Sequence, residues 1–167
     1  VCGVFFFQAE DGIRYLVRSR GLGDVYKRQA DADALLMAAA VADFRPVNVS
    51  HQKIKKSSRI NSISLEPTVD ILAAVAGQRV QTGYPRRVVG FAAETQSLLE
   101  NARAKLNAKK LDLIVANDVS APDAGFAVDT NRVTLLHPDG RVQPLALASK
   151  NEVADAILQI VVEWLQV

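Results

Sequence analysis

The sequence is poor in the residues that most often carry covalent and metal chemistry, with one cysteine, two histidines, one methionine and one tryptophan among 167 residues. The single thiol, Cys2, excludes an intramolecular disulfide framework and a cysteine-rich metal centre, and suits a reducing cytoplasm. No Ser-His-Asp or Cys-His set stands out for nucleophilic catalysis. No apolar run approaches the roughly 18 residues of a membrane span. Val4-Phe5-Phe6-Phe7 is too short for a secretory h-region and runs straight into Gln8-Ala9-Glu10-Asp11. Charge of one sign is also scarce: 20 basic against 18 acidic residues leave a net charge of +2, which implies neither a nucleic-acid nor a membrane partner. A dinucleotide fingerprint is missing as well, because Gly21-Leu22-Gly23 lacks a third glycine at the required spacing and no convincing strand precedes it.

What the chain does have is enough apolar material, 49% of its residues, for one core of ordinary domain size. An apolar run from Leu35 ends in small residues and then Asp43-Phe44-Arg45-Pro46, where a buried strand should stop and a loop begin. In open α/β sheets ligands sit beyond the carboxyl ends of strands, and this turn leads to three lysines in four residues, Lys53, Lys55 and Lys56. The polar segment 47–59 reads as a mobile flap whose ammonium groups suit phosphoryl charge, although a solubilising charge run is the plain alternative. Asp31 and Asp33 mark a polar strand entry, and Ser62-Ile63-Ser64-Leu65 alternates as a short strand would.

A helix follows from Glu66-Pro67-Thr68-Val69-Asp70-Ile71 to about Arg79, with Thr68 as N-cap and Ile71, Leu72 and Val75 on the buried stripe. Val88-Val89-Gly90-Phe91 reads as a buried parallel strand whose glycine permits close packing or ligand approach, and Phe91 is either core or a stacking surface. Glu94 ends that strand and either binds magnesium indirectly or caps the next helix. In the helix 96–110, Lys105 and Lys109 share a face, where they repel unless an anion lies between them. Leu111 to Ala116 forms the next strand, so Asn117 and Asp118 should emerge on the same edge as Asp43 and Glu94. Arg132–Leu136 and Val142–Leu145 read as a hairpin across His137-Pro138-Asp139-Gly140, with His137 at the surface. Ser149 and Glu152 have capping-box spacing at the start of an amphipathic helix through Leu165. Strand and helix alternation predicts an α/β fold with parallel pairing.

Four blocks, residues 39–46, 53–56, 89–95 and 112–118, together resemble phosphopantothenate–cysteine ligase, over roughly residue 31 to the C-terminus. The resemblance implies a Rossmann-like three-layer sheet, mostly parallel with a C-terminal β-hairpin. It implies CTP-dependent joining of 4′-phosphopantothenate to cysteine through an acyl-cytidylate in coenzyme A biosynthesis, with Mg²⁺ on unassigned ligands. It further implies nucleotide binding by Ala39, Ala40, Asp43, Lys53, Thr68, Val69, Asp70, Ile71, Phe91, Lys105 and Lys109, with Lys53 catalytic. The family pattern is Asn-Pro-Asp-Ile where this chain has Thr68-Val69-Asp70-Ile71, so contacts through the asparagine side chain are not carried over. Expected partners are small-molecule substrates, a second copy in a homodimer and a fused or associated flavin-dependent decarboxylase, in the cytoplasm, without nucleic acid or membrane. Residues 1–29 resemble translated sequencing-adapter DNA and are expected to be non-native, leaving residues 30–167 as an N-terminally truncated ligase domain with an uncovered sheet edge. The rival readings are a dinucleotide-binding oxidoreductase-like domain and a non-catalytic nucleotide-binding module.

Overall fold

The structure is a computed structural model and describes residues 4–8, 12–14, 32–38, 41–50, 52, 62–120 and 128–166. Its centre is three parallel strands: β3 (Ala34–Met37), β6 (Arg87–Glu94) and β7 (Leu113–Asp118). Each carries apolar residues on both faces, the pattern of a strand covered by helices on either side. Antiparallel strands extend this centre at both margins. β9 (Val133–Leu136) pairs with β7 and β10 (Val142–Pro144) with β9, while β1 (Val4–Gln8) pairs with β3 and β2 (Gly12–Arg14) with β1. The strand order is β10-β9-β7-β6-β3-β1-β2. The expected hairpin is therefore present; an uncovered sheet edge was expected, and β1 pairs along β3 on the side away from β6.

Three helices among the described residues complete the layers. α1 (Ile71–Thr82) and α2 (Leu98–Ala108) lie on one face, where Ile71, Val75, Ala102 and Leu106 share a core with Leu35, Met37, Val88 and Ile114. α3 (Lys150–Leu165) covers the other, placing Val153, Ile157 and Val161 against Ala34, Leu36, Val89, Leu113 and Leu135. Period-two alternation along β3 and β7 sends neighbouring residues to these two cores. Two short ribbons lie outside the main sheet, β4 (Phe44–Pro46) with β5 (Leu65–Pro67), and β8 (Thr130–Asn131) with β11 (Ala148–Ser149). Phe44-Arg45-Pro46 was expected to leave the strand state altogether. It instead forms an edge strand, where a proline without an N–H is tolerated.

The helix ends are set by side-chain chemistry. Asp70, not Thr68, caps α1, its Oδ1 accepting from the Ala73 N–H at 3.0 Å. The helix runs to Thr82, three residues beyond the expected limit at Arg79, and Gly83 ends it at φ 78°, a left-handed conformation that glycine adopts without Cβ strain. α2 begins at Leu98 rather than Gln96. The capping box on α3 is formed as expected, and the hydrogen bonds from the Ser149 hydroxyl and backbone N–H hold the Glu152 carboxyl below its ordinary value.

Gly90 is used for close packing. A Cβ built there would stand 2.5 Å from Leu111 Cδ1 in the buried core. Gly90→Ala is expected to cost about 1–3 kcal/mol through overpacking. Urea denaturation measures it; an unchanged midpoint would show that Leu111 simply turns aside.

His137 differs from its expected surface position and is 5% exposed. Its Nδ1 lies 3.1 Å from Arg141 Nη2, and because a guanidinium only donates, Nδ1 accepts and the neutral ring carries its proton on Nε2. Burial, followed by the Arg141 charge, lowers its pKa, with Asp139 pulling the other way. Between the ordinary value of 6.5 and the lower folded value, the unfolded chain binds more protons, so stability falls as pH drops through that window. His137→Gln should flatten the decline in Tm between about pH 7 and about pH 5. An equally steep decline in the variant would assign the acid sensitivity to other groups.

Candidate functional site

Beyond Met37, the last residue of β3, the chain leaves the sheet, builds the β4–β5 ribbon and returns through Thr68-Val69 into α1. That excursion walls a cleft of about 320 Å³. Val41, Ala42 and Asp43 line one side, and Thr68, Val69 and Asp70 with the first α1 residues, Ile71 and Leu72, line another. Met37, Phe91 of β6 and Lys109 just past α2 complete the lining.

Backbone and side-chain bonds fix the two walls against each other. The Thr68 hydroxyl donates to the Ala42 carbonyl at 2.5 Å, and the Thr68 N–H donates to the Asp43 carbonyl at 2.9 Å. Thr68 therefore joins the two cleft segments rather than capping a helix. Arg45 and Glu66 add an exposed cross-strand ion pair at 2.7 Å on the ribbon. Phe91 keeps 38% of its surface exposed.

The electrostatics centre on Asp70 and Lys109, which form an ion pair between Oδ2 and Nζ. Burial works to raise the Asp70 pKa, but the Lys109 hydrogen bond, the Ala73 N–H and the Lys109 charge outweigh it and hold the carboxyl below its usual value. Lys105 is not in the cleft lining. Its Nζ lies 2.6 Å from Glu94 Oε1, and Asn101 Nδ2 donates to Glu94 Oε2 at 3.3 Å. Shared helical face does not mean shared partner, because positions four apart are separated by a full turn of about 6 Å along the axis. The repulsion read from the Lys105/Lys109 spacing is relieved by two different carboxylates. Glu94 thus ties to the body of α2 and does not cap it; Ser97 is the cap residue, at φ 48° and without a side-chain capping bond.

Of the residues singled out from sequence, Asp43, Thr68, Val69, Asp70, Ile71, Phe91 and Lys109 line this one cleft. Ala39, Ala40 and Lys53 lie outside the described residues, as do Lys55, Lys56, Asp31 and the Gly21-Leu22-Gly23 segment. Asn117 and Asp118 extend β7 rather than leaving it; Asp118 Oδ1 accepts from the Ser120 N–H and hydroxyl, and the buried Asn117 Oδ1 has no partner among the described residues. The lining residues that sequence reasoning missed are Met37, Val41, Ala42 and Leu72. They are apolar and contribute wall rather than charge, so only the Leu35 run and the helix stripe signalled them. Among the described residues no group of three or more His, Cys, Asp or Glu could hold a metal ion, and no helix is long and apolar enough to cross a membrane.

Residues 19–165 match the model of the DNA/pantothenate metabolism flavoprotein C-terminal domain family. The chain belongs to this family. It is 46% identical over 128 residues to the coenzyme A biosynthesis bifunctional protein CoaBC of Bacillus subtilis, covering 77% of this chain and 30% of that protein. It is 40% identical over 129 residues to a cysteine/cysteine sulfinic acid decarboxylase of an unknown prokaryotic organism, covering 77% of this chain and 35% of the relative. The chain thus spans about a third of the length of these curated relatives. A crystal structure of the C-terminal domain of CoaBC superposes with a TM-score of 0.67 at 33% identity, over 90% of this chain and 65% of that one. The DNA/pantothenate metabolism flavoprotein from Streptococcus pneumoniae gives 0.68 at 21% identity, over 92% of this chain and 73% of that one, a likeness of fold.

These findings bear out the α/β, Rossmann-like class and the coenzyme A setting, and they correct the activity. The family is described as part of a flavoprotein, and the one reaction that these names spell out is decarboxylation. None of them specifies a ligase, CTP or magnesium, so the expected CTP-dependent acid–amino-acid ligase with Mg²⁺ is withdrawn. The family description also raises a flavin. The apolar lining suits a planar ring, but the described charges of the cleft are two carboxylates, Asp43 and Asp70, against one ammonium already paired to Asp70. In the free protein that set gives a flavin phosphate no cation of its own, and Lys109 would hold such a phosphate only on leaving Asp70.

Proposed function

We propose that this chain is a binding domain of a larger cytoplasmic protein of coenzyme A biosynthesis, working beside a decarboxylase activity. Its cleft takes a small ligand that combines a phosphate group with a planar ring. The observation that carries this reading is the convergence of Asp43, Thr68–Ile71, Phe91 and Lys109, from separate stretches of chain, on one concave site. Lys109 and the N-terminus of α1 supply the anion-attracting groups, Phe91 supplies a half-exposed ring, and the Asp43 carboxylate accepts from hydroxyl or amino donors. Ala39, Ala40, Lys53 and Lys105 belong to the same proposed set, Lys53 and Lys105 as additional cations. Decarboxylation needs a group that takes up the electrons of the departing carboxylate. The lining residues offer acids, one amine and apolar side chains, so the role assigned to this cleft is holding the ligand.

Calorimetric titration of the full chain tests this with inorganic phosphate, a nucleoside monophosphate and flavin mononucleotide. A ring-bearing phosphate should bind more tightly than inorganic phosphate. Phe91→Ala should remove most of that difference, since a base stacked on an aromatic side chain contributes about 1–3 kcal/mol. If ring-bearing and inorganic phosphates bind alike, and Phe91→Ala changes neither, the proposed ligand class is wrong.

A homodimer is part of the proposal. Phe44 on the β4–β5 ribbon, and Val49 and Ile63 in the chain next to it, are 58%, 71% and 66% exposed. Sedimentation velocity should show a dimer that Phe44→Asp dissociates; a concentration-independent monomer overturns it.

A further inference from the structure

The cleft proposed to bind phosphate contains its own anion, already seated on the groups that a phosphate would use. Asp70 Oδ1 takes the Ala73 N–H in the first turn of α1 at 3.0 Å, and Oδ2 takes the Lys109 ammonium. A helix N-terminus and an ammonium are two elementary components of a phosphate site. One carboxylate occupies both.

Resting on the ligand class proposed above, we infer that Asp70 is a built-in surrogate for the ligand's phosphate: it holds Lys109 and the α1 N-terminus in place in the free protein and yields Lys109 to the phosphate on binding. Three observations support the exchange. The described charges of the cleft, Asp43, Asp70 and Lys109, sum to −1, so an anion approaching Lys109 while Asp70 keeps it meets a net negative site. The Asp70 carboxyl lies below its ordinary pKa and is ionised at neutral pH, so it repels an incoming phosphate until the pairing changes. Finally, the side chains of Asp70 and Lys109 are 48% and 28% exposed, so their pairing is readily exchanged for a phosphate that carries more charge and more acceptor oxygens.

Asp70 is therefore a positioning residue. It keeps Lys109 aimed at the cleft and makes affinity depend on the ligand's charge, since a group that does not displace the carboxylate meets two acids. A doubly charged phosphate displaces it more readily than a singly charged carboxylate.

Asp70→Asn tests the exchange cleanly, because asparagine caps helices as well as aspartate and keeps an oxygen for the Ala73 N–H while removing the charge. With inorganic tripolyphosphate as probe on the full chain, the variant should bind about fivefold more tightly than the wild type, the factor equivalent to about 1 kcal/mol for an exposed pair. Lys109→Ala should bind more weakly. In the wild type, saturating tripolyphosphate should raise the Asp70 carboxyl pKa followed by carbon NMR, which a purely structural cap would not show. If Lys109→Ala weakens binding but Asp70→Asn does not tighten it, or the Asp70 pKa stays fixed, the surrogate role is overturned and the cleft reading stands. If tripolyphosphate fails to bind, or binds regardless of Lys109, both fall together.

Discussion

Asp112→Ala is expected to remove about 2–4 kcal/mol of stability, because it strands charged and backbone donors in a partly buried junction. Asp112 precedes β7. Its Oδ2 accepts from the Val88 N–H at 2.8 Å and pairs with Arg79 Nη1 at 2.9 Å; its Oδ1 accepts from Arg79 Nη2 at 3.0 Å. Arg87 reaches the same carboxylate at 3.5 Å and places its guanidinium 5.6 Å from the Trp164 ring centroid on α3. One side chain thus gathers α1, β6, β7 and, through Arg87, α3. Arg79 also donates to the Arg86 carbonyl at 2.6 Å and the Lys110 carbonyl at 3.3 Å, which hold its guanidinium in place after the carboxylate is removed. It would be held there as a half-buried charge without its counter-ion, and the Val88 N–H would lose its acceptor. Asp112→Asn should recover part of the loss, since its amide oxygen still takes the Val88 N–H.

The same substitution separates fold from site. Arg79 is nine residues along α1 from Asp70, or about 13 Å of helix, so the Asp112 junction lies away from the cleft. Chemical denaturation should show the lost stability while tripolyphosphate affinity of the folded variant stays within about twofold, a shift of less than about 0.5 kcal/mol. A loss below 1 kcal/mol would mean that water or a rearranged Arg79 replaces the carboxylate. A large loss of affinity in the folded protein would mean that α1 transmits the damage to its N-terminus.

The parts of this fold that were legible in the sequence are those decided locally. Leu35–Met37, Val88–Phe91 and Leu113–Ala116 are apolar on both faces, which in a chain with intervening helical patterns leaves little alternative to a covered parallel centre. Ser149 and Glu152 satisfy each other three residues apart, so their capping box needs no distant partner. Thr68 and Asp70 show where local reading stops. Both are good N-caps, and the choice between them is made by the Ala42 carbonyl, 26 residues upstream, which takes the Thr68 hydroxyl. His137 was misread for the same reason. It borders a turn but is buried, and it lines one cavity with residues more than 20 positions later on α3, Ile160 and Trp164.

The cleft was more legible than its chemistry. Carboxylates, an exposed aromatic and a lysine beyond strand ends converge because the topology brings those edges together, whichever reaction follows. The reaction does not follow from the same pattern: a fold and a polar constellation serve several chemistries, and the activity read from motif likeness is the part that the relatives corrected. Lys105 and Lys109 illustrate the limit at the level of single side chains. Their spacing gives the shared face, but Glu94 and Asp70, which come from other elements, decide where each ammonium goes.

Lys109→Ala should weaken tripolyphosphate binding at least tenfold, the equivalent of about 1.4 kcal/mol, and yet cost the free protein less than about 1 kcal/mol. The two effects differ because they involve different partners. In the free protein Lys109 faces a carboxylate that is 48% exposed and also serves as a helix cap, so much of its charge is met by water and by the α1 N–H groups. With a polyanion in the cleft, Lys109 is the one ammonium among the described lining residues. The pH dependence should separate the two roles. Asp70 has a folded pKa below its unfolded value, so its contribution is present above the ordinary carboxylate range and disappears as pH falls through the folded value. The stability gap between wild type and Lys109→Ala should therefore be open at neutral pH and closed in acid, where Asp70 is protonated in both. Lys105→Ala, whose partner Glu94 lies outside the lining, should produce the smaller loss of affinity. If the two lysine variants bind tripolyphosphate equally poorly, the bound ligand reaches beyond the cleft to the Glu94 side of α2, and the division between the two ammonium groups holds only in the free protein.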